Sequence, residues 1–342
     1  MKTQYLKFAA RRIAQALLVV VLAYVITFLI ITVLPGDPIT TRLQNPESGL
    51  SEQEVAKLVA YYGLDQPLLV QLWSSFSRFV VGDFGISLSS SLPVSKIIGD
   101  AIPSTLALAA SALFVAVLLA FLIAIGSQLV PPRFGQGLIR SFPSLFLSVP
   151  NFVIGLLLIN IFAFKLGWFQ IINPETPIGT GLAAVALGIP VSAQAAEVLV
   201  TNLDQQANQE YATVVKSRGA SKISLVFRHL LKPASLPAVT VLALTIGELL
   251  GGAVITEMVF GRQGIGAVIE RAVSGQDFPV LQAVVSVSAL IFVLANLLAD
   301  LTYPLLDPRV KISQAASKKH KTTTDVAKAQ SKKTSKKQVI EV

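Results

Sequence analysis

The chain has 342 residues, 53% of them hydrophobic and 14% charged, and carries a formal net charge of +9. Several uninterrupted apolar runs of about 20 residues exclude an ordinary soluble domain and point to an all-α, polytopic helical membrane protein. There is no cysteine, so disulfides and thiolate metal sites are excluded.

Six spans are expected, at roughly Ala14–Leu34, Leu106–Val130, Leu145–Leu166, Ile178–Leu203, Leu236–Phe260 and Val280–Leu301. Lys2, Lys7, Arg11 and Arg12 precede the first. That run is longer than a signal-peptide core, and no small-residue cleavage site separates it from Leu34-Pro35-Gly36-Asp37-Pro38. It reads as an uncleaved span.

The segment 36–101 is too long for a turn. Ser51-Glu52-Gln53-Glu54 forms a capping box opening a helix that should end near Gly63. After Pro67, the residues Leu69, Leu72, Trp73, Phe76, Phe79 and Val80 make an apolar stripe at helical spacing. Such a stripe can lie on the membrane interface, receive a partner, or pack on the outer ends of the spans. Pro143, Pro150 and Pro190 are expected to bend their helices.

Between the fourth and fifth spans, Gln205 to Pro237 is a basic segment wedged between apolar runs. Gly219 is placed to make the turn, because glycine enters the left-handed region without a Cβ penalty. Ser221 can cap the helix that follows. The segment is either a docking element for a cytoplasmic partner or a solvated connector held inside by its charge.

Within the fifth span Glu248 sits in Ile246-Gly247-Glu248-Leu249-Leu250-Gly251-Gly252. A carboxylate at that depth costs about 2.5–3.5 kcal/mol on insertion scales, so it should face a cavity or a partner. It is either a pathway residue that meets a cationic substrate group or a hydrogen-bonded carboxyl at a helix interface. Gly247, Gly251 and Gly252 read as sites of close helix packing. Beyond Arg309 the tail has nine lysines against Asp325 and Glu341 and no apolar face, so it reads as disordered. Weak attraction to anionic membrane lipid fits that tail; nucleic-acid binding does not, without a folded basic surface.

Charge counting orients the chain. Residues 36–101 hold four basic and seven acidic groups, and 257–279 hold two and three. The N-terminus, the loop of Arg133 and Arg140, the segment 204–232 and the tail are all net basic. That alternation places both termini in the cytoplasm and favours an even number of spans. No Gly-Lys dipeptide occurs, so there is no P-loop. Two histidines supply no metal cluster, and no Ser/His/Asp set is positioned for hydrolysis. The chain is not expected to be an enzyme or to hold a cofactor.

Glu210-Tyr211-Ala212, Lys216-Ser217-Arg218-Gly219-Ala220-Ser221, and Arg228-His229-Leu230 through Leu236-Pro237 resemble the coupling loop of ABC-transporter permeases. The spacing is that of the branch importing oligopeptides, dipeptides and nickel. Further motifs agree: Tyr62-Gly63, Gly82-Asp83-Phe84-Gly85-Ile86-Ser87, Ile102-Pro103-Ser104-Thr105-Leu106, Glu257 with Phe260, Gly264-Ile265-Gly266, and Asp277-Phe278-Pro279. The resemblance covers about residues 1 to 310. It departs at Thr213-Val214-Val215, where the general motif has Glu-Ala-Ala; at Ala195 to Val198, which lacks an arginine; at Gln263, usually proline; and at Glu248, usually small or neutral.

The resemblance implies a type I ABC importer permease fold with a cytoplasmic coupling helix in the cell membrane. It divides the chain into a first helix plus extracytoplasmic segment (1–101), a permease core (102–310, with the coupling loop at about 205–232) and a basic tail (311–342). It implies a second homologous permease, two ABC ATPase subunits holding ATP and Mg, an extracytoplasmic substrate-binding protein and a peptide-like substrate. The coupling residues would be Glu210, Tyr211, Ala212, Lys216, Ser217, Arg218, Gly219, Ala220, Ser221, Arg228 and His229, and the pathway residue Glu248. Nickel chelates or another small solute are alternative cargo. An ion-coupled secondary transporter is a further alternative, with few intramembrane ion sites to support it.

Overall fold

The computed structural model describes residues 2–33, 52–63 and 66–306. Among them the regular structure is helical, apart from one isolated bridge between Ile86 and Pro93. The expected capping residue Ser51, the Leu34–Pro38 motif and the tail lie outside the described residues.

Helix α1 (Lys2–Val33) is followed by α2 (Glu52–Tyr62), α3 (Leu68–Val80) and the long α4 (Val94–Leu129). Next come α5 (Gln136–Ser148), α6 (Asn151–Leu158), α7 (Pro177–Ala207) and α8 (Glu210–Ser217). The described residues end in α9 (Leu231–Leu244), α10 (Ile246–Phe260), α11 (Ile265–Ser274) and α12 (Phe278–Leu306). Five helical stretches are long and apolar enough to cross a membrane: Ala9–Thr32, Val94–Leu129, Pro177–Ala207, Lys222–Leu242 and Phe278–Leu298. The pair α5 and α6 with its extension to Lys165 brings the number to six if counted as one bent span.

The expected third span is not a rod. Between Ser148 and Asn151 the axis turns by 101°. Val149, held at φ −111° and ψ 120°, precedes Pro150, whose ring excludes the helical conformation from the residue before it. Past Leu158 the chain continues in wider π-type turns over Ile159–Lys165. At Pro143 and Pro190, by contrast, the helix runs through.

The expected fifth span, Leu236–Phe260, is also redrawn. Helical structure begins at Lys222, passes through π-type turns at Leu225–Leu230, and is interrupted for one residue at Thr245. The buried Thr245 hydroxyl donates to the Leu242 carbonyl at 2.9 Å, and backbone bonds bridge the interruption on either side. The apolar window suited to the membrane is therefore Lys222–Leu242, with α10 continuing beyond it.

Helices α4 and α7 form the most extensive pair. Their contact is built from small residues: a Cβ at Gly188 would lie 2.8 Å from the Ala112 carbonyl oxygen. Small side chains let helix backbones approach where lipid offers no hydrophobic drive to associate. Leu108 and Ala112 of α4, Leu187 of α7, and Leu249 and Phe260 of α10 close this core.

The α3 stripe is divided between two environments. Phe76 meets Tyr24 of α1 edge-on and Phe79 meets it tilted, with ring centroids 5.3 and 5.0 Å apart, while Leu69 and Trp73 remain exposed. Gln282 of α12 donates to the Tyr24 carbonyl at 3.1 Å and joins the same corner. Residues 298–342 form a second contact unit, of which only the last turns of α12 are described.

Candidate functional site

The basic segment folds as its residues dictate. Gly219 sits at φ +80°, closing α8, and its N–H donates to the Lys216 carbonyl at 3.0 Å. Ser221 caps the next turn, accepting from the Ser224 N–H at 3.2 Å. An apolar underside anchors the element. Ala212, Leu225, Val226 and Leu230 are buried against Ala124, Leu199 and Leu203 of the spans above.

What remains outside is a mixed surface. Glu210, Tyr211, Lys216, Ser217, Arg218, Ser221 and Arg228 are exposed, while Ala220 and His229 are half-buried. Val214, Ile223 and Phe227 add exposed apolar area beside them. Among the described residues Arg218 and Arg228 make no ion pair within the chain. Ala212 differs from the rest of the expected coupling residues: it is fully buried and holds α8 in place.

A clamp above this element was not foreseen from the sequence. Arg140 of α5 grips Asp204 of α7 through two bonds of 2.8 Å, and Gln128 of α4 donates to the same carboxylate at 2.7 Å. Three helices are thus tied at the point where α7 hands over to the basic segment. Nothing local marks the pair, since its members are 64 residues apart.

Two further clusters bring separated motifs together. In the first, Glu257 of α10 is buried, and its Oε2 accepts from the Gly266 N–H at 2.7 Å. Thr105 of α4 accepts from the Ile265 N–H at 2.9 Å. Arg262, also buried, donates to Thr180 at 2.8 Å and to Ser104 at 3.1 Å, and Ser104 donates to Glu175 at 2.8 Å. Glu175 and Glu257 supply the negative charge around Arg262. Buried charge is costly unless it is paired and hydrogen-bonded, and here the bonding is incomplete: Glu257 Oε1 and Arg262 Nε have no partner among the described residues. In the second cluster, Asp277 accepts from Ser87 and from the N–H groups of Leu88 and Ser89 at 3.2 and 3.1 Å.

Glu248 lies on an exposed stripe of α10 that also holds Gly251, Ile255 and Met258. Its neighbour Leu249 is buried in the α4–α7 core, so the carboxylate points away from that core. Among the described residues it makes no hydrogen bond or ion pair. The three glycines around it separate into two kinds. A Cβ at Gly247 would collide with Phe292 at 2.6 Å and one at Gly252 with Leu187 at 2.7 Å, whereas one at Gly251 would meet nothing within 4 Å. Close packing explains the first two and does not explain Gly251.

Two family models match the chain: "Binding-protein-dependent transport system inner membrane component" over residues 116–312, and its N-terminal counterpart over residues 5–109. The glutathione transport system permease protein GsiC of Salmonella paratyphi A is 31% identical over 306 residues, covering 90% of this chain and 99% of that protein. GsiC of Escherichia coli K12 is 31% identical over 307 residues, with the same coverage. A probable peptide ABC transporter permease protein, y4tP of Sinorhizobium fredii, is 29% identical over 313 residues, covering 89% of this chain and 99% of its own. With its membrane-length helices and these matches, the chain belongs to the inner membrane component family of binding-protein-dependent transport systems, as a multi-pass permease subunit of an ABC importer.

Proposed function

We propose that this subunit pairs with a second, homologous permease to enclose a pathway for peptide-like cargo across the cell membrane, with both termini in the cytoplasm. Two ATPase subunits, which hold ATP and Mg, dock beneath it, and a substrate-binding protein delivers cargo from outside. The chain itself performs no hydrolysis. The glutathione and peptide permeases to which it is similar support peptide-like cargo.

The observation that carries the reading is the basic segment: an exposed cationic and apolar surface, whose Arg218 and Arg228 make no ion pair among the described residues, held on the spans by a buried underside. A connector would need neither the buried anchor nor the capped turn. An ATPase groove that receives α8 and the turn at Gly219 moves with its own dimer closure, and α8 transmits that motion to α7 and α9. Nucleotide binding then biases a two-state membrane domain between inward-facing and outward-facing forms. Glu248, uncovered on α10, would face the cavity between the two permeases and meet an ammonium group of the cargo.

The test is crosslinking from cysteines placed at Lys216 and Arg228 in the assembled complex, together with uptake by Gly219→Val. Valine at φ +80° is strained and should uncouple transport in a subunit that still inserts. Crosslinks that never reach an ATPase, or full uptake by Gly219→Val, would sink the docking role. Glu248→Gln keeps the shape and removes the charge, so it should lower uptake of zwitterionic peptides; normal uptake would remove Glu248 from the pathway.

A further inference from the structure

Beside the stripe that carries Glu248 lies a cavity of about 250 Å³ between α4, α10, α11 and α12. Its walls are almost wholly apolar, with Leu106, Leu250, Val254, Ile269 and Phe292 among them. Two residues that line it carry hydroxyls. That of Thr105 is committed to the Ile265 N–H. That of Ser288 is buried and has no partner among the described residues. Serines in helices ordinarily donate to the carbonyl four residues back, as Ser286 does to Gln282 at 2.7 Å. Ser288 leaves that option unused, and an unsatisfied buried hydroxyl is costly unless something else pairs with it.

Gly251 lines this cavity and also lies on the exposed stripe, one turn from Glu248. The empty space around its missing Cβ is the doorway between the two. A glycine within a helix weakens it and here brings no packing in return. The vacant doorway and the apolar chamber behind it, one turn from an uncovered carboxylate, therefore share one explanation.

We infer that this cavity is a subsite for one aliphatic or aromatic side chain of a cargo peptide whose ammonium group meets Glu248. The inference rests on the pathway reading above and adds a cargo class: peptides with a free amino terminus and a large apolar residue next to it. The cavity is smaller than the usual chamber of 300 Å³ or more that encloses a whole ligand, so it holds a part of the cargo rather than all of it.

The test uses the reconstituted complex in proteoliposomes with saturating binding protein, comparing Leu-Gly-Gly and Phe-Gly-Gly with Gly-Gly-Gly. Gly251→Leu fills the doorway without meeting protein atoms at its Cβ. It should slow uptake of the Leu and Phe peptides about tenfold relative to Gly-Gly-Gly, the discrimination typical of one apolar contact. Gly251→Ala, the milder change, should shift the same ratio in the same direction, which keeps the test decisive if the leucine variant fails to assemble. An unchanged ratio in an assembled variant overturns the subsite, as does uniform loss for all three peptides. Release of a co-purified lipid by Gly251→Leu with no change in the peptide ratio overturns it in favour of an acyl-chain site. Glu248→Gln separates the two readings: if it lowers uptake of all three peptides while Gly251→Leu leaves their ratio unchanged, the pathway stands and the subsite falls. Wild-type uptake by Glu248→Gln removes the ammonium contact on which the inference rests.

Discussion

At the scale of single residues, one amino acid serves opposite ends in neighbouring positions. Gly264 has an extended backbone that any residue adopts, yet a Cβ there would run into the Glu257 carboxylate. The glycine is required by space rather than by conformation. Gly251 has all the space a side chain could need. The same substitution should therefore carry opposite signs. Gly264→Ala should lower stability by about 1–3 kcal/mol through overpacking, while Gly251→Ala should raise it by up to about 1 kcal/mol through helix propensity. Thermal unfolding of the detergent-solubilised complex reads both. Equal shifts in the same direction would show that local space does not decide these positions.

At the scale of elements, α3 packs Phe79 on Phe84 of the loop before α4, with ring centroids 5.5 Å apart, whereas α2 reaches the same loop through polar contacts of Tyr62. The Tyr62 hydroxyl donates to the Ile86 carbonyl at 2.8 Å and accepts from the Ile86 N–H at 3.1 Å. Burial, chiefly, pushes the Tyr62 phenol up from 10.0 to about 12, with Tyr61 and Asp277 adding to the rise. A raised value means that the folded form holds its proton more tightly than the unfolded chain does. The stabilisation is therefore complete below pH 10 and is lost as the pH climbs towards 12. Limited proteolysis of the 52–93 region should accelerate across that window in the wild type. Tyr62→Phe should lose about 1 kcal/mol of local stability at neutral pH and show a flatter profile above pH 10. A profile identical to the wild type would assign the alkaline loosening to another group.

At the scale of the whole molecule, the family match ends at residue 312, and beyond it the chain is lysine-rich and carries no apolar face. Deletion from Gln314 onward should leave insertion, assembly and uptake within about twofold of wild type, since surface changes away from packed features shift stability little. Uptake abolished in a stably inserted truncation would identify the tail as a partner-binding element. Within the matched region, two tertiary knots tie the chain across long sequence distances: α4 to the α10–α11 junction through Thr105 and Glu257, and the loop after α3 to the start of α12 through Ser87 and Asp277. The Arg140–Asp204 clamp ties three helices beside the basic segment.

Local features were legible in the residues because their causes are local. Apolar runs of membrane length, the turn at Gly219 and the cap at Ser221 follow from hydropathy, from the absence of a Cβ and from a side-chain oxygen three residues before an open N–H. The break at Pro150 was legible as a bend, but its 101° and the displaced start of the fifth span were not, because packing sets how far a helix turns once its backbone bond is lost. The motifs of residues 102–106 and 257–266 stood apart in the sequence, and only the fold brings a threonine from one to an amide of the other. The division of the glycines has the same origin. Gly247 and Gly252 face neighbouring helices and Gly251 faces a cavity, a difference that depends on what the other helices place opposite each one and that no residue carries by itself.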